Sequence, residues 1–258
     1  MQEPTGELVE LDFYFGHVER VNAFERVVRF CCTHGGRFAG TIWECKGIGA
    51  RRHRFTSLFS RTLYEIDVSA EELEKKLEDE NIDVIKVAVW SAIGITKDVP
   101  EVVTYNGVSS SGSQVDNPAI AIVGEGWVFS GPPDKHDPKR ERQAKKAGKR
   151  CYEKFVEICA ALDPDYAAIL GEDSLPCSYD LADGRGDRCF RSFFVSERAY
   201  QGSTIARIEA LYKDAYKERI GTGIYVSTWG FENPGNLTIP INVALERSAR
   251  VAKMLAIK

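Results

Sequence analysis

Residues 7–15 alternate in polarity and are rich in β-formers, Leu8, Val9, Leu11, Phe13, Tyr14 and Phe15 among them, which predicts a first strand. Gly16 and His17 close it. Val21, Phe24, Val27, Val28 and Cys31 then recur at i, i+3, i+4 and i+7 spacing, which places them on one face of a helix. Gly35-Gly36 ends that helix, because glycine takes the left-handed cap conformation without a Cβ clash. Residues 37–45 read as a second strand, and residues 63–68 as a short one. Ser69 and Glu72 have capping-box spacing, with Val68 and Leu73 as the flanking hydrophobic staple, so a helix starts there and runs to about Glu80.

Three consecutive strands follow, over 84–93, 101–108 and 119–129, with residues 109–118 as a hairpin loop. Gly131-Pro132-Pro133 breaks the chain, and Asp137-Pro138 opens a long helix whose apolar stripe is Ala144, Ala147, Cys151, Phe155, Ile158, Cys159 and Leu162. Asp163-Pro164 terminates it. Residues 166–170 and 193–195 read as strands, 203–220 as a helix, 223–229 as a strand, and 241 onward as a last amphipathic helix. The expected fold class is therefore α+β: mixed, largely antiparallel sheets covered by amphipathic helices, in two similar α/β halves packed together. The expected division is residues 1–130 and 131–258, with one continuous domain as the alternative.

Composition adds a compartment. The 258 residues hold no apolar run long enough to span a bilayer, and the first residues lack the basic flank and apolar stretch of a secretory signal. Seven cysteines, an odd count at wide spacing and without a C-x-x-C pair, read as reduced thiols acting as small hydrophobes. A cytoplasmic protein is expected. Net charge divides unequally: residues 1–130 carry 13 Lys and Arg against 20 Asp and Glu, and residues 131–258 carry 21 against 18. The chain as a whole is not pre-attracted to nucleic acid or an anionic membrane, but its second half holds a basic excess.

Candidate chemistry is sparse. The basic run from Lys139 to Arg150 puts Arg142, Lys146 and Lys149 on one side of a helix, as phosphate or acidic-partner contacts or as a solvated outer face. Arg51, Arg52, His53 and Arg54 form a second basic cluster in an irregular segment, which grips an acidic surface or offsets the acidic helix at 71–80. His17, His34, His53 and His136 never take an i, i+4 metal spacing. Asp180 to Asp187 lacks the alternation of a calcium loop, and Gly124-Glu125-Gly126 runs on into a strand where a dinucleotide fingerprint needs a helix. No catalytic, cofactor or metal motif is read. Trp43, Trp90, Trp127 and Trp229 fall on predicted strands or their ends; one exposed on a sheet face would be an interface anchor.

The segment from Phe155 through Leu162-Asp163-Pro164 to Tyr166-Ala167-Ala168-Ile169, with the Glu172-Asp173-Ser174-Leu175-Pro176 turn, Phe193-Phe194-Val195-Ser196 and the closing Thr222-Gly223-Ile224-Tyr225-Val226-Ser227-Thr228, resembles immunity-type proteins encoded beside bacterial polymorphic toxins. The opening Leu11-Asp12-Phe13-Tyr14-Phe15-Gly16 strand is similar in style. The resemblance implies a cytoplasmic, non-enzymatic α+β protein that neutralises a cognate toxin by binding it, and it carries over no functional residues. Two other readings stand beside it. One is an enzyme whose fold gathers His17, His53, Cys177, Asp180 and Cys189. The other is a nucleic-acid-associated protein that uses the 139–150 helix.

Overall fold

The first strand, β1 (Leu8–Tyr14), is an interior strand of the sheet, with an apolar face of Val9, Leu11 and Phe13 and a mixed face of Leu8, Glu10, Asp12 and Tyr14. Val9, Leu11 and Phe13 point to one side of the sheet and Tyr14 to the other, and each side packs into its own core. The structure is a computed structural model that describes residues 8–18, 20–46, 64–79, 82–106, 119–125, 138–171, 175–182, 184–228 and 238–256. The remaining elements are α1 (Arg20–Thr33), β2 (Arg37–Lys46), β3 (Tyr64–Asp67), α2 (Ala70–Leu77), β4 (Ile82–Trp90), β5 (Glu101–Asn106), β6 (Ile120–Glu125) and α3 (Pro138–Leu162). They continue as β7 (Tyr166–Gly171), α4 (Ser178–Ala182), β8 (Ser192–Ser196), α5 (Gly202–Leu211), β9 (Tyr216–Ile220), β10 (Gly223–Ser227) and α6 (Ile241–Leu255).

The ten strands among the described residues form one open sheet in the order β3-β2-β4-β5-β6-β1-β7-β8-β10-β9, antiparallel at each of these junctions. β1 joins the two halves of the chain, pairing with β6 on one edge and β7 on the other. The α+β expectation is met: the described residues form one antiparallel sheet and six helices. No helix among the described residues is long and apolar enough to cross a membrane.

One face of the sheet carries α1, α2 and α3. Phe24, Val27, Val28 and Cys31 of α1, Leu73 and Leu77 of α2, and Cys151, Phe155 and Ile158 of α3 meet Leu11, Phe13, Ile42, Val87 and Val103 there. Phe13 and Phe155 stack with ring centroids 5.6 Å apart. Burying each such ring fully contributes roughly 1.5–3 kcal/mol. The capping box at Ser69 forms: its hydroxyl accepts from the Glu72 N–H, and the Glu72 carboxylate accepts from the Ser69 N–H at 2.7 Å. Among the described residues the opposite face carries α4, α5 and α6 over β7, β8 and β10, where Tyr166, Phe193, Val195, Ile224 and Val226 are buried in one cluster with Ile205, Ile208, Val251 and Leu255.

Buried Glu101 fixes the β4–β5 connection. Its carboxylate accepts the N–H groups of Ala92, Gly94 and Ile95, at 2.9, 2.9 and 3.3 Å. Arg150 of α3 donates to the Ile95 carbonyl at 3.2 Å, tying the long helix to that connection.

The helical spacing over 203–220 does not continue as one helix. α5 ends at Leu211, and β9 pairs with β10 from Tyr216↔Ser227 to Ile220↔Gly223. The two residues between, Gly221 and Thr222, make the tight turn, with Gly221 at φ +52°. Lys217, Glu218 and Arg219 are good helix formers, but a ready antiparallel partner two residues away overrides that preference.

Candidate functional site

A line of directly opposed residues crosses all ten strands. It runs Glu65, Trp43, Lys86, Thr104, Ala121, Asp12, Ala168, Phe193, Val226 and Lys217. All ten share the face that carries α4 to α6. From Ala168 to Val226 the line is fully buried beneath those helices. On the other side of β1 its character changes: Trp43, Lys86 and Thr104 are half-buried, as are their neighbours on this face Glu10, Trp90, Val102 and Val123. Among the described residues no helix packs on that part of the face. The result is a polar-aromatic surface, with Trp43 held by a 3.3 Å hydrogen bond from its Nε1 to Glu65.

Asp12 marks the boundary between the covered and half-covered regions. It is flanked in register by two small residues, Ala121 and Ala168, and its Oδ2 accepts the Leu175 N–H at 2.8 Å. Its Oδ1 is buried and has no hydrogen-bond partner among the described residues. Burial, reinforced by the nearby Glu10 carboxylate, pushes the Asp12 carboxyl well above the usual range.

A second polar cluster lies at one end of the central strands. Asp163 follows α3 with φ +47°, a left-handed conformation that turns the chain back into β7. Its Oδ1 accepts from Ser196 at 2.8 Å and Thr222 at 2.9 Å, and its Oδ2 accepts from Arg198 Nε at 2.7 Å. Arg198 also donates through Nη2 to the Asp163 carbonyl and to Asp165 Oδ1, both at 2.8 Å. The same Asp165 oxygen meets His17 Nδ1 at 2.6 Å, and the Asp165 side chain is only 1% exposed. Desolvation alone would raise the Asp163 carboxyl, but the hydrogen bonds from Arg198, Ser196 and Thr222 hold it below its usual range. The cluster laces together β1, the α3–β7 junction, β8 and the β9–β10 turn.

The residues singled out in the sequence are dispersed. Arg142, Lys146 and Lys149 are exposed on one side of α3, with Lys149 3.6 Å from Glu153 on the same helix. Arg51, Arg52, His53 and Arg54 lie outside the described residues, as do His136, Trp127, Trp229, the 109–118 loop and the Gly131-Pro132-Pro133 break. Cys177 and Asp180 do come together, Sγ donating to Oδ2 at 3.2 Å, and Cys189 is buried in the same core. His17 is not with them, since it pairs with Asp165. Burial pushes the Cys31 and Cys151 thiols up to about 12, which suits their role as packed hydrophobes.

Sequence reading missed both the half-covered face and the Asp163–Arg198–Asp165 cluster. The signal for the second was Leu162-Asp163-Pro164-Asp165, a helix stop carrying one more carboxylate than a stop requires.

No protein-family model and no curated protein matches the sequence. Among solved structures, the chain is similar to a T6SS protein of Pseudomonas aeruginosa, with a TM-score of 0.42 and 12% identity over 100% of this chain and 84% of that one.

Proposed function

We propose that the chain is a cytoplasmic binding protein of the immunity type, which neutralises a cognate toxin by holding it against the half-covered face of its sheet. The observation that carries this reading is the change along the register line: buried and apolar beneath α4–α6, then half-exposed and polar-aromatic at Thr104, Lys86 and Trp43. Tryptophan in such a setting supplies a large rigid contact, and the neighbouring lysine and threonine supply orientation. The basic residues Arg142, Lys146 and Lys149, with Arg51, Arg52, His53 and Arg54, steer an acidic partner toward the molecule rather than anchor it.

The test is co-expression with the product of the neighbouring gene. The wild-type chain forms a stable complex that co-purifies. The double variant Trp43→Ala/Lys86→Glu, folded by circular dichroism, weakens it by roughly tenfold or more, as loss of a hot-spot residue does. Absence of a complex with the wild-type chain overturns the reading.

A further inference from the structure

The outer surface of the α5–α6 pair holds an open groove of about 510 Å³. Its apolar lining is Ala210 and Leu211 of α5 with Val243 and Met254 of α6. Its charged lining combines Arg207 of α5 with Glu246, Arg247 and Arg250 of α6, three guanidiniums to one carboxylate. Arg247 is fixed in the wall, because both its terminal nitrogens donate to the Asp214 carboxylate and its guanidinium lies 5.6 Å from the Tyr212 ring centre. Arg207 and Arg250 are different. Arg207 is exposed and makes no hydrogen bond or ion pair among the described residues. The Arg250 side chain is 56% exposed, and its nearest carboxylate is Glu246, 4.0 Å away on the same helix. Two guanidiniums on different helices thus line one groove with hydrogen-bonding capacity to spare.

We infer that this groove is a second interaction surface, whose occupant is an acidic segment of a partner protein carrying an apolar anchor residue. The anchor packs on the apolar lining, and carboxylates beside it meet Arg207 and Arg250. The apolar part of the lining gives a side chain a contact that a bare phosphate cannot make, and no lining residue is an aromatic ring on which a nucleobase could stack. The inference uses none of the residues of the half-covered sheet face.

The experiment titrates the full chain into a fluorescein-labelled amphipathic peptide with Leu at every third or fourth position and Glu elsewhere, read by anisotropy. A peptide with Lys in place of Glu is the control. The acidic peptide binds and the Lys peptide does not. Ala210→Trp, which fills the groove, and Arg207→Glu/Arg250→Glu, which reverses the two charges, each weaken binding at least tenfold while their circular dichroism stays that of the wild type. Trp43→Ala/Lys86→Glu leaves peptide binding unchanged, which separates this site from the sheet face. Equal binding of both peptides, undiminished binding by the folded groove variants, or a groove that serves only self-association, seen as a concentration-dependent dimer abolished by Ala210→Trp, overturns the inference.

Discussion

Asp165 holds His17 and Arg198 with the same carboxylate oxygen, at 2.6 and 2.8 Å, while its own side chain is almost fully enclosed. Each partner comes from a different part of the chain: His17 follows β1, and Arg198 follows β8. A buried carboxylate held by a guanidinium and an imidazole is a joint whose failure is expensive, because removing the Arg198 partner leaves a charge that neither water nor protein fully compensates. Arg198→Ala is therefore expected to destabilise the fold by about 2 kcal/mol, and His17→Ala by about 1 kcal/mol, since the exposed histidine is partly replaced by water. Urea denaturation measures both. Equal and negligible losses would show that the joint is ornamental.

Two aspartates give opposite pH dependences. Asp12 has its folded carboxyl raised above the ordinary 3.8, so its contribution is complete below that value and is lost as pH rises through the folded value. Asp163 is lowered, so its contribution is present above 3.8 and is lost as pH falls through the folded value. Asp12→Asn keeps the shape and the hydrogen bond from Leu175 but carries no charge. Its stability relative to wild type is expected to improve steadily from pH 4 to pH 7.5 in parallel urea titrations. A difference that does not change with pH would contradict the assignment of Asp12 as a disfavoured buried charge.

The reciprocal cap at the start of α2 is a local feature with a local cost. Ser69→Ala removes the acceptor for the Glu72 N–H and is expected to lower stability by about 1 kcal/mol, with Ser69→Asp restoring most of it. Thermal unfolding of the two variants checks the order.

Gly223 opens β10 beneath a close approach. A Cβ there would stand 2.4 Å from the Phe194 ring and 2.5 Å from the Val195 carbonyl oxygen. Gly223→Ala should cost about 1–3 kcal/mol, because the ring and the strand must both move. Crystals or spectra of a folded Gly223→Ala variant with an unchanged denaturation midpoint would refute that packing.

Much of the fold was legible because its elements are locally consistent. The spacing from Val21 to Cys31 and the Ser69–Glu72 box each encode a helix within a few residues of chain, and the structure places α1 and α2 there. Residues 216–220 were not legible in the same way. Their charged residues favour a helix, and only the pairing with β10 makes them a strand. The half-covered face was hidden for a related reason. Trp43 and Trp90 sit in strands whose pattern is the same whether or not a helix lies above them, so the sequence records the sheet and not its covering. Arg142, Lys146 and Lys149 were found because helical spacing alone puts them on one side of α3.

The central claim is that Trp43, Lys86 and the surface around them hold a protein partner. Its most direct test is a titration of the purified partner, encoded by the neighbouring gene, into three chains by isothermal calorimetry and stopped flow: the wild type, Trp43→Ala/Lys86→Glu, and Arg142→Glu/Lys146→Glu/Lys149→Glu. The sheet-face variant should lose roughly tenfold or more in affinity through faster dissociation, and the α3 variant should mainly associate more slowly, with a weaker salt dependence. A sheet-face variant that is folded and binds the partner as tightly as the wild type would contradict the claim.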